Sequence, residues 1–360
     1  MAETKSRARS AKGGTKSDET AGLFGFSEEE LRTILSEMLL YRRFEEKAEE
    51  AYAIGKIGGF CHLHIGQEGV AAGAIKPLRP DDYVMSAYRE HTQAIAKGVD
   101  PKRVMAELYG RVTGASRGKG GSMHIFGAEE RFMGGHGIVG GQIPLATGIG
   151  WAIKYRGGDQ VSMVFMGDAA VNQGAFHESK NMAAVWDLPV IFVVENNHYG
   201  MGTAFGRVSD VELHERARGY GMPVTSVNGQ DVLATYRHFE KVVQEVREGS
   251  GPQFVEVTTY RFKGHSMSDP VSGTYRSREE VENQIEQGDP IEILRARMMD
   301  AGMLTEEELK EIDAKARADS QAAADFADES PFPGPEELYE HVYAEVNEHG
   351  RLFFDGRERS

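Results

Sequence analysis

The chain has 360 residues, 40% of them apolar, which is enough for a large core in one or two domains. Acidic residues outnumber basic ones by 15, which counts against nucleic acid or an anionic membrane as a general partner, and no apolar run reaches the length of a membrane span. The one cysteine, Cys61, excludes a disulfide framework within the chain and suits a reducing bacterial cytoplasm.

Residues 1–22 are basic and small, with almost no large apolar side chain, and are expected to form a disordered tail. Their basic character makes a transit peptide, and so a mitochondrial matrix location, the alternative, although Glu3, Asp18 and Glu19 count against it. Order is expected from Ser27, which with Glu30 forms a capping box ahead of Leu31, Ile34, Leu35 and Met38 at helical spacing. Strands are expected at 83–88, 161–167, 190–195, 224–227 and 254–260, alternating with helices. That alternation predicts one α/β domain over 23–360, a doubly wound, mainly parallel sheet flanked by helices. The segment 264–278 is polar and contains Gly and Pro, and is expected to be a mobile loop that gates a site. Thr305 with Glu308 opens a further helix, and a last one is expected near 336–347, after Pro331, Pro333 and Pro335.

Two of the expected strands end on oxygen-bearing side chains. Val-Ser-Met-Val-Phe-Met-Gly-Asp ends at Asp168, Val-Ile-Phe-Val-Val-Glu-Asn-Asn ends at Asn197, and a helix-length spacer, Asn172 to Trp186, separates them. A crossover helix makes such strands parallel, so both ends reach the edge where open α/β sheets bind ligands. An Asp, an Asn oxygen and a main-chain carbonyl just beyond Asn197 would fill half the shell of Mg²⁺, with phosphate and water supplying the rest. An Asp in this position often does no more than cap the next helix. The paired Asn196-Asn197 and the Tyr-Gly-Met-Gly turn that follows favour the metal.

These residues also carry a resemblance. Gly-Asp-Ala-Ala-Val-Asn-Gln-Gly (167–174) through Glu-Asn-Asn-His-Tyr-Gly-Met-Gly-Thr (195–203) resembles the thiamine-diphosphate motif. With Gly-Phe-Cys-His-Leu-His-Ile-Gly-Gln-Glu (59–68), Ser-Ala-Tyr-Arg-Glu-His (86–91), Gly-Lys-Gly-Gly-Ser-Met-His (118–124) and Gly-His-Ser-Met-Ser-Asp-Pro (264–270), the chain resembles the α subunits of the heterotetrameric pyruvate dehydrogenase first component. The match keeps the family's order across most of 27–345. It implies oxidative decarboxylation of pyruvate, with transfer of the acetyl group to the lipoyl groups of a dihydrolipoyl acetyltransferase core. It also implies thiamine diphosphate and Mg²⁺ as cofactors and an α2β2 tetramer with a β subunit.

By the same resemblance Asp168, Asn197 and the Tyr199 carbonyl hold the metal, while Tyr88, Arg89, Ala169 and Ala170 meet the diphosphate. Main-chain groups at Gly137 and Val139 meet the aminopyrimidine, His62 and His265 stand near substrate and phosphate as the catalytic candidates, and Gln173 and Met201 line the cavity. From the residues alone, Arg89 could equally pair with Glu90. The chain has no second α/β module with a ring-protonating Glu, so the β subunit must bring it. The α subunit of acetoin dehydrogenase is the nearest alternative, and a non-catalytic binding protein of the same fold a more distant one. Intact Asp168, Asn197, Arg89 and His265 argue against the latter.

Two motifs read as decoys. Gly135-His-Gly-Ile-Val-Gly140 matches the dinucleotide fingerprint, with Asp159 about twenty residues on, but 128–134 is not expected to form the strand that such a site needs. Gly118-Lys-Gly-Gly fails as a P-loop because no Ser or Thr follows Lys119. Two residues depart from the family. Ala169 stands where it has Gly, which would weaken phosphate binding if positive φ were needed there, and His136 stands where Asn is common. In the family, serines of the 264–278 loop are phosphorylated, and Ser266 matches one of them.

Overall fold

The structure, a computed structural model, describes residues 21–340. Of the tail expected over 1–22, all but Ala21 and Gly22 lies outside the described residues. The first long helix, Glu28–Ala53, begins as expected: the Glu30 amide donates to Ser27 Oγ at 3.3 Å, and the Ser27 amide donates to the Glu30 carboxylate at 2.7 Å. Leu31, Ile34, Leu35 and Met38 are all buried on its inner face.

Six strands form one sheet: β1 (Tyr83–Ala87), β2 (Phe132–His136), β3 (Ser162–Gly167), β4 (Val190–Asn196), β7 (Val224–Asn228) and β8 (Gln253–Thr258). Their order is β2-β1-β3-β4-β8-β7, and every neighbouring pair is parallel. A short antiparallel hairpin, β5 (Tyr199–Gly200) with β6 (Thr203–Ala204), stands apart. The expected α/β fold with a parallel sheet flanked by helices is therefore present.

Alternation along the strands divides the core in two. Met163, Phe165, Ile191, Val193, Val255 and Val257 face one side, and Val164, Met166, Val190, Phe192, Val194 and Phe254 face the other. The first side packs helices Glu28–Ala53, Glu68–Ile75, His91–Lys97, Pro101–Leu108, Val232–Arg247, Pro290–Asp300 and Glu306–Glu329. Gln142–Arg156, Gly174–Val185 and Leu213–Arg218 cover the second. Beyond this thinner layer Trp151, Tyr155, Met182, Val185 and Trp186 are exposed, with Trp151 and Tyr155 stacked at 5.1 Å.

Strand β2 corrects the reading of 128–134. Two of its five residues are glycines, it lies at the sheet edge, and Arg131 just before it holds φ 60°, so neither periodicity nor propensity announces it. Gly135 thus lies within a strand, as its fourth residue. What separates this turn from a dinucleotide site is topology: β1 lies between β2 and β3, and Asp159 precedes β3 at the opposite edge, paired with Arg79 at 2.7 Å.

The segment 264–278 is irregular, as its composition suggests, and it is anchored at Ser266 and Arg276 while Ser268, Pro270, Val271, Gly273, Thr274, Ser277 and Arg278 are exposed. Ser266 is buried, its amide and its Oγ both donate to Asp269 at 2.9 and 2.8 Å, and the Met267 amide donates to the Cys61 carbonyl at 2.9 Å. Arg276 donates to the carbonyls of Arg261, Lys263 and Val271. Guanidinium bonds of this kind supply the order that the composition does not suggest. Of the helix expected near 336–347, the described residues show only the turn Pro335–Leu338, and the remainder lies outside them.

The Gly-rich segment after Gly114 does bind an anion, but one of the chain's own. The amides of Ser116 and Gly118 donate to Glu107 Oε2 at 2.8 Å each, and those of Gly120 and Gly121 donate to Oε1 at 2.7 and 3.1 Å. Glu107 is fully buried, and Gly118 turns at φ +75°.

On the thinner face Lys180 is fully buried, with Nζ 3.6 Å from the Phe176 ring centre and 4.3 Å from that of Tyr220. Burial, helped by the Arg216 charge, lowers its pKa from 10.5 to about 7. Between those values the unfolded chain binds more protons than the folded one, so stability should rise with pH across that window. Lys180→Met is expected to flatten that rise and to increase the unfolding temperature near neutral pH, as thermal unfolding at several pH values would show.

Candidate active site

The carbonyl ends of β1, β3 and β4 open on a cavity of about 250 Å³. Chain order alone brings its walls together. Tyr88 and Arg89 follow β1, Asp168 follows β3, Asn197 follows β4, and the hairpin after Asn197 supplies Tyr199 and Met201. Val139, Ala169, Ala170 and His265 complete the expected lining. His62 lies just behind it, its ring 4.6 Å from Tyr88 and 5.2 Å from His265. Gly137 and Gln173 are also outside the lining; the Gly137 amide donates to His124 Nε2 at 3.4 Å, and Gln173 packs beneath Gly140.

The electrostatics favour a negative ligand together with a cation. Arg89 is buried and donates to the carbonyls of Leu63 and His265 at 2.6 and 2.7 Å, not to Glu90. Arg261 is 1% exposed, donates to the Met201 carbonyl and Tyr275 Oη, and leaves Nε and Nη1 without partners. Burial lowers the pKa of both guanidiniums, an effect that an anion would reverse. Burial and the Arg89 charge hold His62 down to about 2 and His265 to about 4, so both are neutral donors at pH 7. Burial pushes Asp168 the other way, up to about 6, although main-chain hydrogen bonds and the Arg261 charge act to lower it.

The Asn197 amide is oriented by its neighbour. Nδ2 donates to Gln67 Oε1 at 3.1 Å, which leaves the buried Oδ1 without a partner. Tyr199 Oη donates to Glu280 at 2.9 Å, so any share that Tyr199 takes in a metal site falls to its main chain. His198 and Met201 hold φ of 72° and 52°, folding the hairpin back over the cavity. Among the described residues no cluster of three His, Cys, Asp or Glu side chains is placed to hold a metal, so a cation here must draw on amide and main-chain oxygens.

Ala169 needs no positive φ, and its methyl group fits because residue 200 is glycine: a Cβ on Gly200 would lie 2.6 Å from that of Ala169. Gly200→Ala is therefore expected to weaken cofactor binding severalfold, and Ala169→Gly in the same chain to restore it. Titration calorimetry on both variants checks this, and an unrestored double variant would refute the packing argument. His136 Nδ1 lies 3.3 Å from the Ser86 carbonyl and its ring meets Phe126 edge-on, which gives the departure from Asn a packing role.

Sequence reasoning passed over Glu195, Gln67 and Arg261. Glu195 lines the cavity and is bound by His64 Nε2 at 3.0 Å and Gln93 Nε2 at 2.9 Å, contacts between residues far apart in the chain. Only the repeated polar residues inside apolar runs could have signalled it. Cys61 is buried, and its thiol is pushed up to about 12 by that burial, so it is inert.

Fold and cavity together define an α/β protein whose cavity, at the carbonyl edge of a parallel sheet, has the charge to suit an anionic ligand. Residues 36–336 match the dehydrogenase E1 component, and the chain belongs to that family. It is 47% identical to the pyruvate dehydrogenase E1 component subunit alpha of Rhizobium meliloti, over 95% of this chain and 98% of the relative. The proteins of the same name from Zymomonas mobilis and Rickettsia bellii are 48% and 45% identical, over 89% and 88% of this chain and 90% and 96% of theirs.

Proposed function

We propose that this chain is the α subunit of a thiamine-diphosphate-dependent pyruvate dehydrogenase, working with a β subunit as an α2β2 heterotetramer that passes acetyl groups to the lipoyl groups of a dihydrolipoyl acetyltransferase core. One observation carries the reading: a buried, unpartnered Asn197 Oδ1 shares a cavity with a buried Asp168 that makes no ion pair among the described residues, beside guanidiniums bonded to no carboxylate. Unmet oxygens and unmet donors side by side fit a divalent cation and a diphosphate bound together.

Asp168, Asn197 Oδ1 and the Tyr199 carbonyl would hold Mg²⁺, and Tyr88, Arg89 and the main chain at Ala169 and Ala170 would hold the diphosphate. Gly137 and Val139 would present main-chain groups to the aminopyrimidine. When bound, the cofactor supplies a thiazolium carbon that adds to the keto carbon of pyruvate and a ring that takes up the electrons left as CO₂ departs. His62 and His265, neutral at pH 7, donate hydrogen bonds to substrate and phosphate oxygens without adding charge. Arg89 fixes the main chain at Leu63, next to His62, and at His265 itself.

The composite-site reading is supported by the apolar rim. Ile138, Val139 and Leu145 are exposed at the turn and first helical residues beside the cavity, and Trp151 and Tyr155 continue the apolar surface along the same helix. That face suits the β subunit. We place the complex in a reducing bacterial cytoplasm, a reading supported by the single buried thiol and by bacterial relatives. No helix among the described residues is long and apolar enough to cross a membrane.

The test is to produce the chain with its β partner and to compare pyruvate-dependent acetylation of a lipoyl domain with acetoin-dependent activity. Pyruvate is expected to be the better substrate by orders of magnitude. Preference for acetoin would replace this reading with the acetoin dehydrogenase one.

A further inference from the structure

Behind the cavity wall a carboxylate, an imidazole and a hydroxyl stand in line. Glu45, on the helix Glu28–Ala53, and His91 are both fully buried, and Ser122 is 3% exposed. His91 Nδ1 lies 2.8 Å from Glu45 Oε2, and His91 Nε2 lies 2.8 Å from Ser122 Oγ and 3.1 Å from the Ser122 carbonyl. The spacing is that of a hydrolytic triad, but Ser122 Oγ is not part of the cavity lining and meets the protein instead: the His62 amide donates to it at 3.4 Å. The other oxygen of the same carboxylate, Glu45 Oε1, accepts from the His64 amide at 2.9 Å.

One carboxylate therefore grips the segment His62–His64 at both ends, directly at His64 and through His91 and Ser122 at His62. Burial works against charge on His91, yet the Glu45 carboxylate outweighs it and raises the pKa of His91. Charged or neutral, His91 holds Ser122 Oγ and leaves a lone pair of that oxygen for the His62 amide. The His62 ring packs on Tyr88 and His265, while its Nδ1 is buried without a partner, so nothing at the ring end fixes its angle by hydrogen bonding. Its orientation rests on the main chain.

We propose that Glu45, His91 and Ser122 are positioning residues that set the His62 imidazole at the cavity wall, an inference resting on the assignment of His62 to the reaction.

The experiment uses the assembled complex with its β subunit and four variants: Ser122→Ala, Ser122→Thr, His62→Ala and the Ser122→Ala/His62→Ala pair. Displacing a catalytic group by about 1 Å costs up to roughly 10²-fold, so Ser122→Ala should lower kcat by about tenfold or more, with KM changed far less. Ser122→Thr, which keeps the hydroxyl, should retain most of the activity. In the His62→Ala background Ser122→Ala should cost almost nothing more, because both act through one group. A second readout needs no turnover: in the cofactor-free complex, carbethoxylation of His62 by diethyl pyrocarbonate, mapped by mass spectrometry, should be several-fold faster in Ser122→Ala than in the parent. If Ser122→Ala leaves both kcat and the reactivity of His62 at parental levels while His62→Ala is impaired, or if the two losses simply multiply, the positioning role is refuted. If His62→Ala itself keeps parental activity, the assignment of His62 falls first and the inference with it.

Discussion

Asp168→Ala is expected to abolish Mg²⁺-dependent binding of thiamine diphosphate while the sheet stays folded. Only Asp168 and Glu195 bring carboxylates to the cavity among the described residues, and Glu195 is already bound to His64 and Gln93. Without Asp168 the protein would offer the cation only neutral oxygens, Asn197 Oδ1 and the Tyr199 carbonyl, so the Mg²⁺ that neutralises the diphosphate would be held far less tightly. Losing an outer-shell partner of a metal typically costs 10- to 100-fold in affinity, so losing the one carboxylate ligand should cost more than about 100-fold. The side chain lies just beyond β3, outside the packed layers, and its removal relieves a buried charge, so circular dichroism and assembly should be unchanged. Calorimetry of parent and variant complexes, with Mg²⁺ and with a chelator, gives the answer. Equal affinity would remove Asp168 from the metal site.

The second large effect concerns the chain on its own. Purified without a partner it is expected to show no turnover of pyruvate, and to gain it only when a β subunit is added. The cavity holds donors for a cation and an anion, but neither of its two carboxylates is free to protonate a distant aminopyrimidine ring. One awaits the metal and the other is committed to a buried network. Pyruvate-dependent dye reduction, with cofactor and Mg²⁺ in excess, tests this directly. Sustained turnover by the single polypeptide would overturn the composite site.

Residues at strand ends were legible because parallel topology converts position in the chain into position at an edge. Asp168, Asn197 and Arg89 needed only a correct reading of β1, β3 and β4, each rich in β-branched or large apolar residues. Strand β2 escaped because its pairing is enforced by β1 and not by its own glycine-rich sequence. The anchoring of 264–278 at Ser266 and Arg276 escaped for a related reason. Arg276 and Asp269 hold it through main-chain and hydroxyl contacts that only the fold assembles, and composition carries no trace of them. Glu45, His64, His91 and Glu195 lie on separate elements, so their linkage could not be read from spacing at all.

The amides around Glu107 lead to a different kind of conclusion. Four N–H groups in a glycine-rich turn are what a free phosphate would seek, yet here the anion is tethered to the same polypeptide. A tethered group competes at an effective concentration in the millimolar range or above, whatever the solution contains. Changes in the phosphate level of the cell should therefore leave this turn untouched.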